Sequence, residues 1–257
     1  MIDQIIVTYI YHSCYTVEIG DYFIIFDYFK GKLNIPDDKK VIFIATHGHG
    51  DHYTSEILKI PNMENYTYIL SKDIGKLDRD NNIIYLENNK FCMDVLKNLY
   101  NCPNVHFVEK DMIKDIPLTD RSSISVNTFG STDLGISILL HVNGISIFHA
   151  GDLNFWAWPD NDKETMKKEY DDFMTEVDKI KQYPIDLAFF PVDPRLKENY
   201  YKGPEIFMRE CNPQILFPMH AGGKEEISIK FEKEFRNNKT KIRPIYEKNQ
   251  KIIIDIN

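Results

Sequence analysis

The order of apolar and polar positions divides the chain into short segments from its first residues. Ile5 to Tyr11 and Cys14 to Ile19 read as strands, and a Gly20-Asp21 turn leads into a third, Tyr22-Phe23-Ile24-Ile25-Phe26. This meander ends at Asp27. After a loop from Gly31 to Lys40, Val41-Ile42-Phe43-Ile44-Ala45 is an unbroken apolar run rich in β-branched residues, as expected of a strand buried on both faces. The region from Thr54 to Thr119 reads as helices over Ser55 to Lys59 and Phe91 to Tyr100, with strands over Tyr66 to Leu70 and Val105 to Val108.

Gly135 to Val142 and Ile145 to His149 flank Asn143-Gly144, the strongest short-range hairpin signal. A two-residue turn sets Val142 opposite Ile145 and, by extension, Gly135 opposite Asp152. From Asp162 to Tyr183 there is neither Gly nor Pro, and Met166, Tyr170, Phe173, Val177 and Ile180 form a helical stripe. The remainder reads as a strand from Asp186 to Phe190, a helix from Glu205 to Cys211, a strand from Gln214 to Phe217, a helix from Lys224 to Phe235 and a last strand from Lys251 to Ile256. Strands interleaved with helices, without linker or repeat, predict one α/β domain over residues 1–257.

Composition narrows the function classes. Hydrophobic residues at 43% and charged residues at 27% fit a soluble globular protein and argue against disorder. No apolar run is long enough for a membrane span, and the N-terminus lacks the basic segment of a secretory signal, so a cytoplasmic protein is expected. Cys14, Cys92, Cys102 and Cys211 show no C-x-x-C spacing and read as free structural thiols. The net charge of −8, with no Lys/Arg run, repels polyanions. A small-molecule substrate is therefore expected, and nucleic acid is not.

The chemistry concentrates in Thr46-His47-Gly48-His49-Gly50-Asp51-His52, where the buried strand stops. In an extended loop, side chains two apart point the same way, so His47 and His49 can grip one cation while Asp51 and His52 turn toward another. Imidazole and carboxylate suit zinc, iron or manganese. A site selecting soft metals needs thiolate, and no Cys is near.

His47-x-His49-x-Asp51-His52 directly after an apolar strand resembles the signature of the metallo-β-lactamase superfamily. His149-Ala150-Gly151-Asp152 resembles its later Gly-Asp element, whose aspartate bridges two metals. Pro218-Met219-His220 resembles its terminal histidine element, and Phe26-Asp27 its early structural aspartate. The resemblance implies a four-layer αββα sandwich with one or two divalent metal ions, zinc foremost and manganese or iron as alternatives, at one edge of the paired sheets. It further implies a metal site of His47, His49, Asp51, His52, Asp152 and His220.

One departure stands out. Where the family places a further histidine on the first metal, this chain reads Phe129-Gly130-Ser131-Thr132-Asp133. His141 cannot substitute, because it lies six residues up the strand from Gly135, about 20 Å away at strand rise. The first position then keeps His47, His49 and Asp152, and the second keeps Asp51, His52, Asp152 and His220. Ser131, Thr132 or Asp133 could complete the first, with Asp133 chemically the best ligand, or these are turn residues bonding their own backbone.

His149, three residues before Asp152, falls on the opposite strand face and reads as a supporting or core histidine. His12 either lines the cleft or is structural, and His106 and His141 read as structural. Trp156 and Trp158 could wall the site, core packing being the alternative for at least one of them. Arg195, Tyr200 and Tyr201 follow the Phe189 to Asp193 strand end, where a loop could present a cation and phenols to substrate or simply be solvated.

The mechanism expected from these residues is attack by a metal-bound hydroxide on an ester, lactone or phosphodiester, with Asp51 and Asp152 orienting the water or bridging metals. Within the superfamily, the likeness is to the branch with lactonases and phospholipase-like members. Two alternatives stand beside it: a cyclic-nucleotide phosphodiesterase or nuclease, and a non-catalytic metal-binding or sensing protein, the latter suggested by the missing histidine.

Overall fold

The computed structural model describes residues 4–60, 63–74 and 103–256. The expected helix over Phe91 to Tyr100, and the thiols Cys92 and Cys102, lie outside them. Cys14 and Cys211 are free and buried.

The first sheet takes β1 (Gln4–Tyr11), β2 (Cys14–Ile19), β3 (Tyr22–Phe26), β4 (Lys40–Ala45), β5 (Thr67–Ser71) and β6 (Val105–Val108) in chain order. The second takes β7 (Ile113–Pro117), β8 (Ser123–Phe129), β9 (Ser137–Val142), β10 (Ile145–His149), β11 (Leu187–Pro191), β12 (Ile215–Met219) and β13 (Lys241–Ile242). The final strand, β14 (Lys251–Asp255), returns to pair with β1 at the free edge of the first sheet. Among the described residues both sheets have seven strands and are mixed. The α-helices among the described residues are α1 (Lys163–Ile180), α2 (Lys202–Cys211) and α3 (Glu226–Phe235). Helix α1 lies against α2 and β8, and α2 against β11, which covers the outside of the second sheet.

Period-two alternation explains why the apolar run of β4 is unbroken. Ile42 and Ile44 enter the large core shared with the second sheet, whereas Val41, Phe43 and Ala45 face a separate cluster with Tyr53, Ile57 and Leu58 from the segment after β4. The strand thus has protein on both faces. This is the αββα sandwich of the metallo-β-lactamase fold.

The hairpin register holds over the paired residues, from Ile145 opposite Val142 to His149 opposite Ile138. It does not extend to Gly135 and Asp152. Pairing stops because β10 gives way at Ala150 to a turn in which Gly151 adopts φ +55°, and β9 starts at Ser137, not Gly135. The helix expected from Asp162 is α1, with Asp162 as its cap accepting from the Thr165 N–H at 2.8 Å.

Topology decides where the loops meet. Strands β10, β11 and β12 are mutually parallel, so their C-terminal ends lie on one side and release Asp152, Asp193 and His220 there. In the first sheet β3 and β4 are parallel, and the β1–β2 turn carrying His12 sits at the same end, since Tyr15 pairs with Phe26. The Ile136 N–H donates to the Thr46 carbonyl at 3.0 Å and ties the two sheets together there.

Candidate metal centre

Four buried imidazoles converge at this edge: His12, His47, His52 and His220, with the buried Asp152 between them. His49 and Asp51 stand on the exposed rim. Asp152 Oδ2 lies 3.4 Å from His47 Nε2, while Oδ1 lies 3.1 Å from His52 Nε2 and 3.3 Å from His220 Nε2. One carboxylate therefore faces two sets of nitrogens.

Each of three histidines is fixed through its other nitrogen. Asp27 accepts from the Thr46 N–H at 2.8 Å and the Thr46 hydroxyl at 2.7 Å. Its Oδ2 also lies 2.7 Å from His52 Nδ1, which fixes the proton on that nitrogen. The Thr46 hydroxyl, already donating to Asp27, accepts from His47 Nδ1 at 3.0 Å. Asp193 accepts from His220 Nδ1 at 2.8 Å and is itself clamped by Arg195. In the neutral form of His47, His52 and His220, the form that binds a metal ion, the Nε2 lone pair is consequently left facing the cluster.

These atoms pass a direct test of fit. His47 Nε2, His52 Nε2, His220 Nε2 and Asp152 Oδ1 are buried and make no aligned hydrogen bond, although they approach to 3.1–3.4 Å. Leaving a buried polar group unsatisfied costs about 1–3 kcal/mol, so four at one point call for a common partner. Two groups of candidate ligand atoms lie within 4.8 Å of one another: His47, His49 and Asp152, and His12, Asp51, His52 and His220. A third, of Asp27, His47 and His52, is consumed by the hydrogen bonds just described.

Electrostatics agree with a cation site. Burial opposes protonation of His52, but the carboxylates of Asp152 and Asp27 outweigh it and push the imidazole up to about 10. His220 is raised against burial by Asp152 and Asp193. Burial likewise works against ionised Asp152, yet His52, His220 and His47 hold its carboxyl well below the usual range. Asp193 is held at about 2, where His220 and Arg195 overcome burial. Negative charge at the centre is being met by protons.

The first position gains no third imidazole among the described residues. The Ser131 hydroxyl accepts from the Asp133 N–H at 3.2 Å, and the Thr132 hydroxyl donates to the Asn154 carbonyl at 2.6 Å while accepting from its N–H at 3.0 Å. Both hydroxyls are spent on backbone. Asp133 lines the cleft but belongs to neither ligand group.

The remaining candidates divide between core, cleft and surface. His149 is sealed in the core, stacked on Phe26, with Nε2 donating to the Ser13 carbonyl at 3.0 Å and Nδ1 accepting from Gly151 N–H. Trp156 is buried, donates to the Asp152 carbonyl and meets His220 edge-on; half-buried Trp158 stacks on it at 5.7 Å. Arg195 lies over both rings. Together with His49, Asp51, Asp152 and His220 they line a cleft of about 600 Å³. Tyr201 is not brought there: its ring packs on Tyr200 and Phe235, because α2 begins at Lys202 and turns it toward α3. Tyr200 is buried. Asp193 escapes sequence reasoning as a functional residue, because an Asp before a Pro at a strand end signals only a helix cap.

Igni18, a metallo hydrolase from the hyperthermophilic archaeon Ignicoccus hospitalis, superposes over 99% of this chain and 100% of its own at 15% identity, with a TM-score of 0.63. Isothiocyanate hydrolase from Delia radicum gut bacteria covers 98% of this chain and 99% of its own at 12% identity and TM-score 0.55. CmlA, a diiron β-hydroxylase from Streptomyces venezuelae, matches 99% of this chain with 54% of its own at 10% identity and TM-score 0.59. At such identities the likeness is one of fold. No curated protein matches the chain. The profile of the beta-lactamase superfamily domain matches residues 6–220, from β1 to the last histidine of the cluster. On this match, over most of its length, the chain belongs to that family, the metallo-β-lactamase superfamily.

Proposed function

We propose that residues 1–257 form a single-domain, metal-dependent hydrolase that opens an ester, lactone or phosphodiester bond of a small molecule in the cleft. The observation that carries this reading is the position of Asp152, with one oxygen toward His47 and the other toward His52 and His220. His47, His49 and Asp152 would hold one ion; Asp51, His52, His220 and Asp152 would hold a second. The nitrogen-rich donor set favours zinc, with manganese or iron as further choices. A divalent cation held by these residues would lower the pKa of a bound water and polarise the oxygen of the scissile group.

The remaining work falls to side chains. Asp27 and Asp193 keep the Nδ1 protons of His52 and His220 in place, so that both rings present a lone pair. Asp51, on the exposed rim, is held ionised by the adjacent His12 ring against burial and orients what enters the cleft. Trp156 and Trp158 form an apolar wall, and Arg195 above them supplies positive charge to an anionic substrate. Igni18 and isothiocyanate hydrolase are both hydrolases, and CmlA's two irons keep iron among the metals to test. Among the described residues no helix is long and apolar enough to cross a membrane, which is compatible with the cytoplasmic location we infer.

Protein loaded with zinc or manganese should hydrolyse at least one member of a panel of lactones, aryl esters and phosphodiesters, and Asp51→Ala should abolish it. Metal-loaded protein with no turnover on any of them would favour the non-catalytic alternative.

A further inference from the structure

His12 shares the cluster with three histidines that offer lone pairs, but its ring is wired the opposite way. The Gly222 N–H donates to His12 Nδ1 at 3.1 Å. A neutral imidazole that accepts at Nδ1 carries its proton on Nε2. That Nε2 lies 3.4 Å from Asp51 Oδ2, is buried and has no aligned hydrogen-bond partner. His52 and His220, in the same group of atoms, have Nδ1 beside Asp27 and Asp193 and so, once neutral, expose a lone pair at Nε2.

The backbone around His12 holds this arrangement. His12 and Ser13 make the two-residue turn between β1 and β2, and His12 adopts φ +57°, a conformation that favours glycine. Its N–H donates to the Tyr9 hydroxyl at 2.9 Å, and its carbonyl accepts from the His220 N–H at 3.1 Å. The ring is 4.1 Å from that of His220, centroid to centroid. A strained turn tied down at both ends, with an N–H that lies beside Asp51 at 3.4 Å but makes no aligned hydrogen bond to it, is placed to donate to an acceptor brought from outside the chain as well.

We infer that His12 is not a metal ligand but a hydrogen-bond donor, which offers Nε2–H to an anionic oxygen of the substrate beside Asp51 and His220. The inference rests on the hydrolase reading for the identity of that oxygen, though not for the placement of the proton.

The test compares wild type, His12→Ala, His12→Gln and, as a ligand-removal control, His220→Ala. Zinc affinity is read by chelator competition, and affinity of the zinc-loaded protein for inorganic phosphate by calorimetry. His12→Ala should keep zinc affinity within about threefold of wild type, whereas His220→Ala loses about 100-fold. Phosphate affinity should fall about tenfold in His12→Ala and recover in His12→Gln, whose amide N–H reaches the position of Nε2. Nitrogen-15 correlation spectra of the metal-free wild type should show His12 protonated on Nε2. Zinc loss in His12→Ala equal to that in His220→Ala would make His12 a ligand and overturn the inference. So would phosphate binding indifferent to His12, or a proton on Nδ1. If wild type binds no zinc, the hydrolase reading fails, and the nitrogen-15 spectra still decide the orientation of His12.

Discussion

Asp27 Oδ2 lies 2.7 Å from His52 Nδ1, and both residues are sealed from solvent. The same carboxylate accepts from the Thr46 N–H and hydroxyl, so three donors converge on two oxygens. Asp27→Asn keeps the volume but leaves one oxygen to accept and adds an N–H where only donors point. Stability should fall by about 1–3 kcal/mol in denaturant unfolding, and metal affinity by about 10–100-fold in chelator competition. Unchanged metal affinity would mean that His52 needs no partner at Nδ1.

Proton release on metal uptake follows from the raised histidines. With its imidazole pushed up to about 10, His52 is protonated in the metal-free protein at neutral pH, and His220 is shifted the same way. A cation must displace the His52 proton, so apparent affinity rises with pH until about 10. The sign for stability is the reverse in metal-free protein. A raised histidine contributes fully below its unfolded value of about 6.5 and loses that contribution as pH rises toward 10. Calorimetry in buffers of different ionisation enthalpy should show at least one proton released per first metal at about pH 7. Zero release would place His52 in the neutral form.

Much of the fold and of the site is legible in the sequence. The strand ending at Ala45, the hairpin at Asn143-Gly144 and the spacing of His47, His49, Asp51 and His52 each carry local signals, and topology then converts strand ends into neighbours. Strands β7 and β8 are harder to see. Ile124 and Val126 alternate with polar residues, but their partner Ile113–Pro117 has one buried residue and no pattern of its own. The roles of His12 and Asp193 are not local at all. Both act through partners far along the chain, and no spacing encodes Gly222 N–H on His12 or His220 on Asp193.

The two proposed positions differ in donor number, which would set the order of metal uptake. His47, His49 and Asp152 provide fewer donors than Asp51, His52, His220 and Asp152, so two sequential steps are expected, the weaker at the first position. Asp133 lines the cleft beside His49 and Asp152, and its own side chain is not holding the turn. Asp133→His should tighten the weaker step by about tenfold, and Ser131→His should not. Two equally tight ions in wild type would contradict the asymmetry.

Gly135 tests how closely the sheets must approach. At φ +79° a Cβ there would overlap the Thr46 carbonyl oxygen and His47 Cβ. Gly135→Ala should cost about 2–4 kcal/mol and weaken metal binding by moving His47. Gly50→Ala, with nothing within 4 Å of its Cβ, should change stability by less than about 0.5 kcal/mol. Equal effects from the two would remove the role assigned to that contact.

The most direct measurement is a crystal structure of the zinc-loaded protein with anomalous differences collected at the zinc edge. The expected result is a peak between Nε2 of His52, Nε2 of His220 and Oδ1 of Asp152, about 2.0–2.1 Å from the nitrogens. No zinc peak there at saturating metal, with those three atoms unligated, would contradict the assignment of this cluster as a metal centre.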